Sequence, residues 1–161
     1  VSWEIIIESI MEIRKEKDFY QISLKLLLKN NKGETLILEA VLDGSLAGYY
    51  DLPGGRINTD EFGANFNEIL KRETKEEIGD VGFQINPAIV AFGRHLIPSS
   101  ISPSGKDVHV LYLFFEGEYI NGDMKISNEH TDSKWVDLKK IELEKYFTSG
   151  ILEGIQMYVE K

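Results

Sequence analysis

The chain alternates between short apolar runs and polar punctuation, and the period of the apolar positions predicts its elements. Phe19 to Leu28 (FYQISLKLLL) reads as a strand, Asn30-Asn31-Lys32-Gly33 as a turn and Glu34 to Leu42 as a second strand, which makes a hairpin. Further on, Val81 to Asn86 and Ala88 to Ile97 read as two strands broken at Pro87. Pro98 to Asp107 reads as a Ser/Pro/Gly loop, Val108 to Glu116 (VHVLYLFFE) as an apolar strand and Gly117 to Asn128 as a turn-containing connection. Trp135-Val136 opens another ordered stretch, with helices expected over Leu138 to Tyr146 and Ile151 to Val159. Asn65 to Ile78 has helical period: Phe66, Ile69 and Leu70 form a stripe, Asn65 suits an N-cap and Gly79 a stop. In Val1 to Lys17 the spacing of Trp3, Ile6, Ile7, Ile10, Met11 and Ile13 favours a helix, while the β-branched Ile5-Ile6-Ile7 run leaves a strand open. Strands with a helix between them give an α+β class. The chain is expected to be one domain over 1–161, without repeats.

Composition narrows this only a little. At 42% hydrophobic and 28% charged, the 161-residue chain has an ordinary globular balance. The absence of cysteine excludes disulfides and thiolate metal sites. No apolar run approaches the ~20 residues of a membrane span, and no basic leader precedes an apolar stretch, so a cytoplasmic protein without membrane contact is expected. A formal charge of −9 argues against broad nucleic-acid binding. Phosphate remains an eligible substrate if a cation neutralises the carboxylates locally.

On the helix from Asn65, the residues Glu73, Glu76 and Glu77 stand at i, i+3 and i+4, which aims them from one face. Taken alone, such a group reads as a solvated face whose repulsion Arg72 and Lys75 relieve. Just upstream, however, Pro53-Gly54-Gly55 ends a strand-like stretch, and two glycines let backbone approach a ligand closely. A glycine bend beside clustered carboxylates can hold hard divalent cations through oxygen.

The run Leu52-Pro53-Gly54-Gly55, then Glu61, then Arg72-Glu73-Thr74-Lys75-Glu76-Glu77-Ile78-Gly79 resembles the Nudix box. That box reads Gly, five residues, Glu, seven residues, Arg-Glu, an aliphatic, any residue, Glu-Glu, any residue, Gly, an aliphatic. Here ten residues separate Glu61 from Arg72, an insertion around Phe62-Gly63-Ala64 that leaves the placement of Glu61 open. Thr74 and Asp80 stand where aliphatics are usual. The resemblance implies an α/β/α sandwich with a mixed central sheet, and hydrolysis of a nucleoside diphosphate linked to another group, using Mg²⁺ or Mn²⁺. It implies Glu76 and Glu77 as metal ligands with the Gly54 carbonyl, and Glu73 as either a further ligand or the base. Arg72 would orient carboxylates and pair with Glu61, while Gly55 and Gly79 shape the motif. Many relatives carry an Arg near the end of the second strand; LILEAVLDG has none.

A second group, Asn128-Glu129-His130-Thr131-Asp132-Ser133-Lys134-Trp135, resembles a late Nudix segment that adds a ligand (Glu129) or a base (His130). The GDP-mannose mannosyl hydrolase branch uses a His in such a place, and GGRINTDE is similar to that branch. A surface-loop or capping role is the alternative for both residues. Arg94 with His95 at the rim of the loop is a candidate phosphate or sugar grip, with an exposed strand-end pair as the alternative. Arg56 and Lys106 are further cationic candidates. Tyr49 and Tyr50 read as wall or core, and His109 as strand-facing structure. The expected partner is a small nucleoside diphosphate derivative, and the apolar N-terminal segment leaves a homodimer open. Two rival readings stand beside pyrophosphate hydrolysis: cleavage at a sugar carbon, and a non-catalytic nucleotide-binding module.

Overall fold

The computed structural model describes residues 1–13 and 15–161. The elements in chain order are α1 (Trp3–Ile13), β1 (Tyr20–Lys29), β2 (Thr35–Ala40), β3 (Tyr50–Asp51), β4 (Gly54–Arg56), α2 (Phe66–Ile78), β5 (Gly82–Ile97), β6 (Val108–Asn121), β7 (His130–Val136), α3 (Leu143–Tyr146) and α4 (Ser149–Val159). The first hairpin closes because Asn30 Oδ1 accepts the backbone N–H groups of Lys32 and Glu34, each at 3.0 Å. β1 and β2 pair only at that end, Lys29 opposite Thr35. Beyond it β2 diverges to join β3 and β7, while β1 takes β4 along Ser23–Lys25 on the freed edge and β6 in parallel on the other. The divergence opens the sheet where the diglycine bend enters it.

The result is a seven-stranded mixed sheet with helices on both faces, an α+β sandwich. Alternation along β1 sends Leu24, Leu26 and Leu28 to the α2 face, where they meet Ile69, Leu70 and Ile78. It sends Leu27 to the opposite face, against Phe114, Ile151 and Ile155. No helix among the described residues is long and apolar enough to cross a membrane.

The N-terminal segment is helical, as its apolar spacing favours, and its Trp3 (79% exposed), Ile5, Ile7, Ile10 and Met11 lie open to solvent; Arg14, within that segment, lies outside the described residues. Three expectations need correction. Pro87 does not end a strand: β5 runs through it with register shifts around Ile89. β5 is at the edge of the sheet, where a missing N–H costs no ladder bond, and Asn86 Oδ1 accepts the Ala88 N–H across the irregularity. Gly117 is no turn but part of β6, where a Cβ would come within 2.9 Å of the Gln84 carbonyl oxygen and Leu26 Cδ1. The helix expected from Leu138 shrinks to α3, because the Asp137 carboxylate accepts the Lys139 N–H and turns the chain first.

Candidate active site

α2 starts where Asn65 Oδ1 accepts the Glu68 N–H at 3.0 Å and the Glu68 carboxylate accepts the Asn65 N–H, a reciprocal capping box. It stops where Gly79 takes φ 87° and donates to the Lys75 carbonyl. Docking Ile69, Leu70 and Ile78 on the sheet fixes the rotation of the helix. That rotation turns Glu77 inward to 5% exposure, half-buries Glu73 and leaves Glu76 open. Thr74, at the box's aliphatic position, is fully buried and its hydroxyl has no hydrogen-bond partner.

The Leu52–Gly55 bend meets this face directly. Gly54 N–H donates to Glu77 Oε2 at 2.8 Å, and a Cβ on Gly54 (φ 139°) would overlap the Leu24 carbonyl oxygen. A Cβ on Gly55 would fall on the Glu73 carboxylate, so that side chain lies against the glycine backbone. Arg72 gathers the remaining acids: its Nη2 is 2.7 Å from Glu61 Oε1 and from Glu73 Oε1, and its Nη1 is 3.2 Å from Glu76. The longer spacing before Arg72 therefore leaves Glu61 within reach. Residues 59–64 absorb it with a 3-10 turn at Thr59–Glu61 and an Ala64 N–H bond to the Glu61 carbonyl. At the other end of α2, Ser127 N–H donates to the Glu77 carbonyl and Lys125 N–H to that of Ile78. Free helix-end carbonyls thus tie down the segment that leads to Glu129 and His130.

Burial marks the inner carboxylates, even with Arg72 beside Glu73 and Lys25 near Glu77. Removal from water pushes Glu77 up to about 8, against the opposing pull of Lys25 and the Gly54 N–H. Burial also raises Glu73, which Arg72 lowers and Glu76 and Glu129 raise further. Because the folded pKa of Glu77 stands above the unfolded 4.5, the folded state binds the extra proton between those limits. Its contribution to stability is complete below the unfolded value and is lost as pH rises through about 8. With divalent cations chelated, the melting midpoint of the wild type is expected to fall from about pH 5 to pH 8, and Glu77→Gln to flatten that slope. Calorimetry across this range checks it, and a flat wild-type profile would contradict a Glu77 that folds protonated.

The other candidates scatter. Arg94 and His95, adjacent on β5, point to opposite faces and cannot grip one phosphate together. Arg94 is exposed and donates to Tyr20 Oη at 3.3 Å. His95 is not at a solvent rim: it is buried, stacked on Tyr112 and clasped between Ser149 Oγ (2.8 Å) and Ser45 Oγ (2.9 Å). His109 is exposed and pairs with Asp18 at 2.7 Å. Arg56 extends from β4 and donates to Gln21 at 2.8 Å. Glu129 is exposed, whereas the Nδ1 of His130 is buried and unpartnered. Burial lowers the His130 pKa, with Asp51 opposing. Sequence reasoning missed Lys25 and Asp51, a buried pair beside Glu77. The signals were a lone lysine in the apolar run SLKLLL and an acid directly before the Leu-Pro-Gly-Gly bend.

Residues 20–155 match the family described as the NUDIX domain. The chain belongs to the NUDIX family. Among curated relatives, the nucleoside triphosphatase NudI of Klebsiella pneumoniae strain 342 is 30% identical over 122 residues, which cover 72% of this chain and 84% of that one. NudI of Escherichia coli strain ED1a is 29% identical over 111 residues, 68% of this chain and 77% of that one. Among solved structures, a MutT protein from Methanosarcina mazei superposes with TM-score 0.66 at 28% identity, covering 91% of this chain and 95% of the other.

The Nudix resemblance placed Glu73, Glu76, Glu77, Glu129 and the Gly54 carbonyl on a metal. Among the described residues, no three His, Asp or Glu side chains converge as a ready-made cage. Glu73 and Glu76 are drawn to Arg72, and Glu77 is bonded to Gly54. The donor set nevertheless suits a hard cation. It offers only oxygens, and its two inner carboxylates stay desolvated and raised in pKa even with Arg72 and Lys25 near them, so further positive charge would be favourable there.

Proposed function

We propose that this NUDIX hydrolase uses Mg²⁺ or Mn²⁺ to hydrolyse a nucleoside diphosphate linked to a further group, cutting between phosphates. The observation that carries the reading is the Gly54 N–H bond to Glu77 at 2.8 Å. It fixes a desolvated carboxylate beside backbone that has no side chain to exclude a ligand. Glu73, Glu76, Glu77 and the Gly54 carbonyl would hold the ion. When bound, it neutralises phosphate charge and makes water a better nucleophile. The chain's own groups do the rest. As the alternative to ligating the ion, Glu73, half-buried and raised in pKa, would accept a proton from attacking water. Arg72 orients Glu73 and Glu76 through its paired hydrogen bonds. Arg56, at the end of the bend, is the exposed cation available to a phosphate oxygen. The NudI relatives, named as nucleoside triphosphatases, favour a nucleoside triphosphate as the substrate.

One observation favours a second reading. The Nδ1 of His130 is buried and unpartnered, with Asp51, Lys25 and Glu129 the charges that act on it, as would suit a base for attack at a sugar carbon. A panel of dNTPs, nucleotide sugars, ADP-ribose and dinucleoside polyphosphates, turned over with Mg²⁺ in ¹⁸O-water, separates the two. Release of a nucleoside monophosphate with the label in phosphate is expected. Label in free sugar would favour the His130 reading, and binding without turnover across the panel would favour a non-catalytic module.

A further inference from the structure

One buried charged pair near the site is not used by the reaction above. Lys25 interrupts the apolar run of β1 with its side chain 5% exposed, and its Nζ is 2.7 Å from Asp51 Oδ2, itself 13% exposed. Taking two charges out of water is expensive, and an apolar pair of similar volume is often as stable or more so. Fold stability alone therefore does not explain the pair.

Its geometry points elsewhere. In the β1–β4 register the Cα of Lys25 is opposite Gly54. The side chain then crosses the Tyr112 ring, 5.3 Å from its centroid, to reach a residue three positions before Gly54. Asp51 uses both oxygens: Oδ2 accepts from Lys25, and Oδ1 accepts the Leu52 N–H at 2.7 Å. The next residue, Pro53, has its carbonyl held by the Leu26 N–H at 2.8 Å, and the next, Gly54, donates to Glu77. Four consecutive residues of the bend are thus tied, and Lys25 anchors the first tie. Resting on the functional reading above, we propose that Lys25 and Asp51 form a strut that holds the Asp51–Gly54 bend at the height where Gly54 meets Glu77. Both are positioning residues for the cation-binding group. Burial disfavours the ammonium, but Asp51, Tyr112 and Glu77 outweigh it and leave the lysine pKa above its ordinary value.

The test is the double variant Lys25→Met with Asp51→Leu, which removes the strut but leaves no buried charge unpaired. It is expected to melt within a few degrees of the wild type. Its Mn²⁺ dissociation constant, read by electron paramagnetic resonance without substrate, is expected to rise about tenfold, as for other groups that orient ligands. Hydrogen exchange at the Gly54 amide is expected to speed up by a similar factor. A folded double variant with wild-type Mn²⁺ affinity and wild-type Gly54 exchange overturns the proposal. If the variant does not fold, the wild type decides. Leu52 and Gly54 amides that exchange as slowly as those in the middle of β6 support the strut, and exchange orders of magnitude faster than those refutes it. A wild type that takes up no Mn²⁺ refutes the functional reading, and the amide measurement still decides the strut.

Discussion

Glu77→Gln is expected to lower kcat/KM by about a thousandfold while leaving the protein folded, because a metal ion contributes several kcal/mol of charge stabilisation to such a transition state. The amide oxygen of Gln can still accept the Gly54 N–H that Glu77 Oε2 accepts at 2.8 Å, so the contact between bend and helix survives. What disappears is the negative charge. That charge is costly to the fold near neutral pH, where burial has already pushed Glu77 up to about 8. The variant should therefore melt no lower than the wild type at pH 8 without divalent ions. Loss of activity and retained stability, measured on one preparation by turnover and calorimetry, separate a ligand from a packing residue. Wild-type turnover in the variant would remove Glu77 from the chemistry.

Gly54→Ala is expected to act in the opposite way, through the fold. The residue has φ 139°, and an added Cβ would overlap the Leu24 carbonyl oxygen on the neighbouring strand. Relief requires the bend to move off β1, which breaks its register with Ser23–Lys25 and the tie to Glu77. A strained backbone costs roughly 1–3 kcal/mol before any clash is counted. At about 2–4 °C per kcal/mol for a chain of this size, a melting midpoint lower by roughly 5–10 °C is expected, with activity lost as well. Calorimetry at pH 7 checks it, and an unchanged midpoint would mean that the bend does not lie against Leu24.

The parts of the site that were legible in the sequence are those written locally. Asn65 with Glu68 marks the helix start, Gly79 marks its end, and three glutamates at helical spacing share the side that the apolar stripe leaves partly covered. The parts that were not legible depend on partners far along the chain. Lys25 and Asp51 are 26 positions apart, and a lysine inside an apolar run reads equally well as a side chain reaching for water. His95 finds Ser45 and Ser149, 50 and 54 positions away, so no window around the histidine reveals that it is clasped. Pro87 and Gly117 misled for a related reason. Each is a breaker by propensity, yet one sits on a sheet edge and the other marks a close approach of side chain and strand.

Arg72 carries a further consequence. With its guanidinium among Glu61, Glu73 and Glu76, the acidic surface has a resident counter-charge and can assemble without help from outside. An incoming divalent ion then competes with an internal cation for the same oxygens. Under the proposed function, occupancy would then be set by how readily that side chain lets go, and the arrangement of the acids would not depend on the ion supply around the protein.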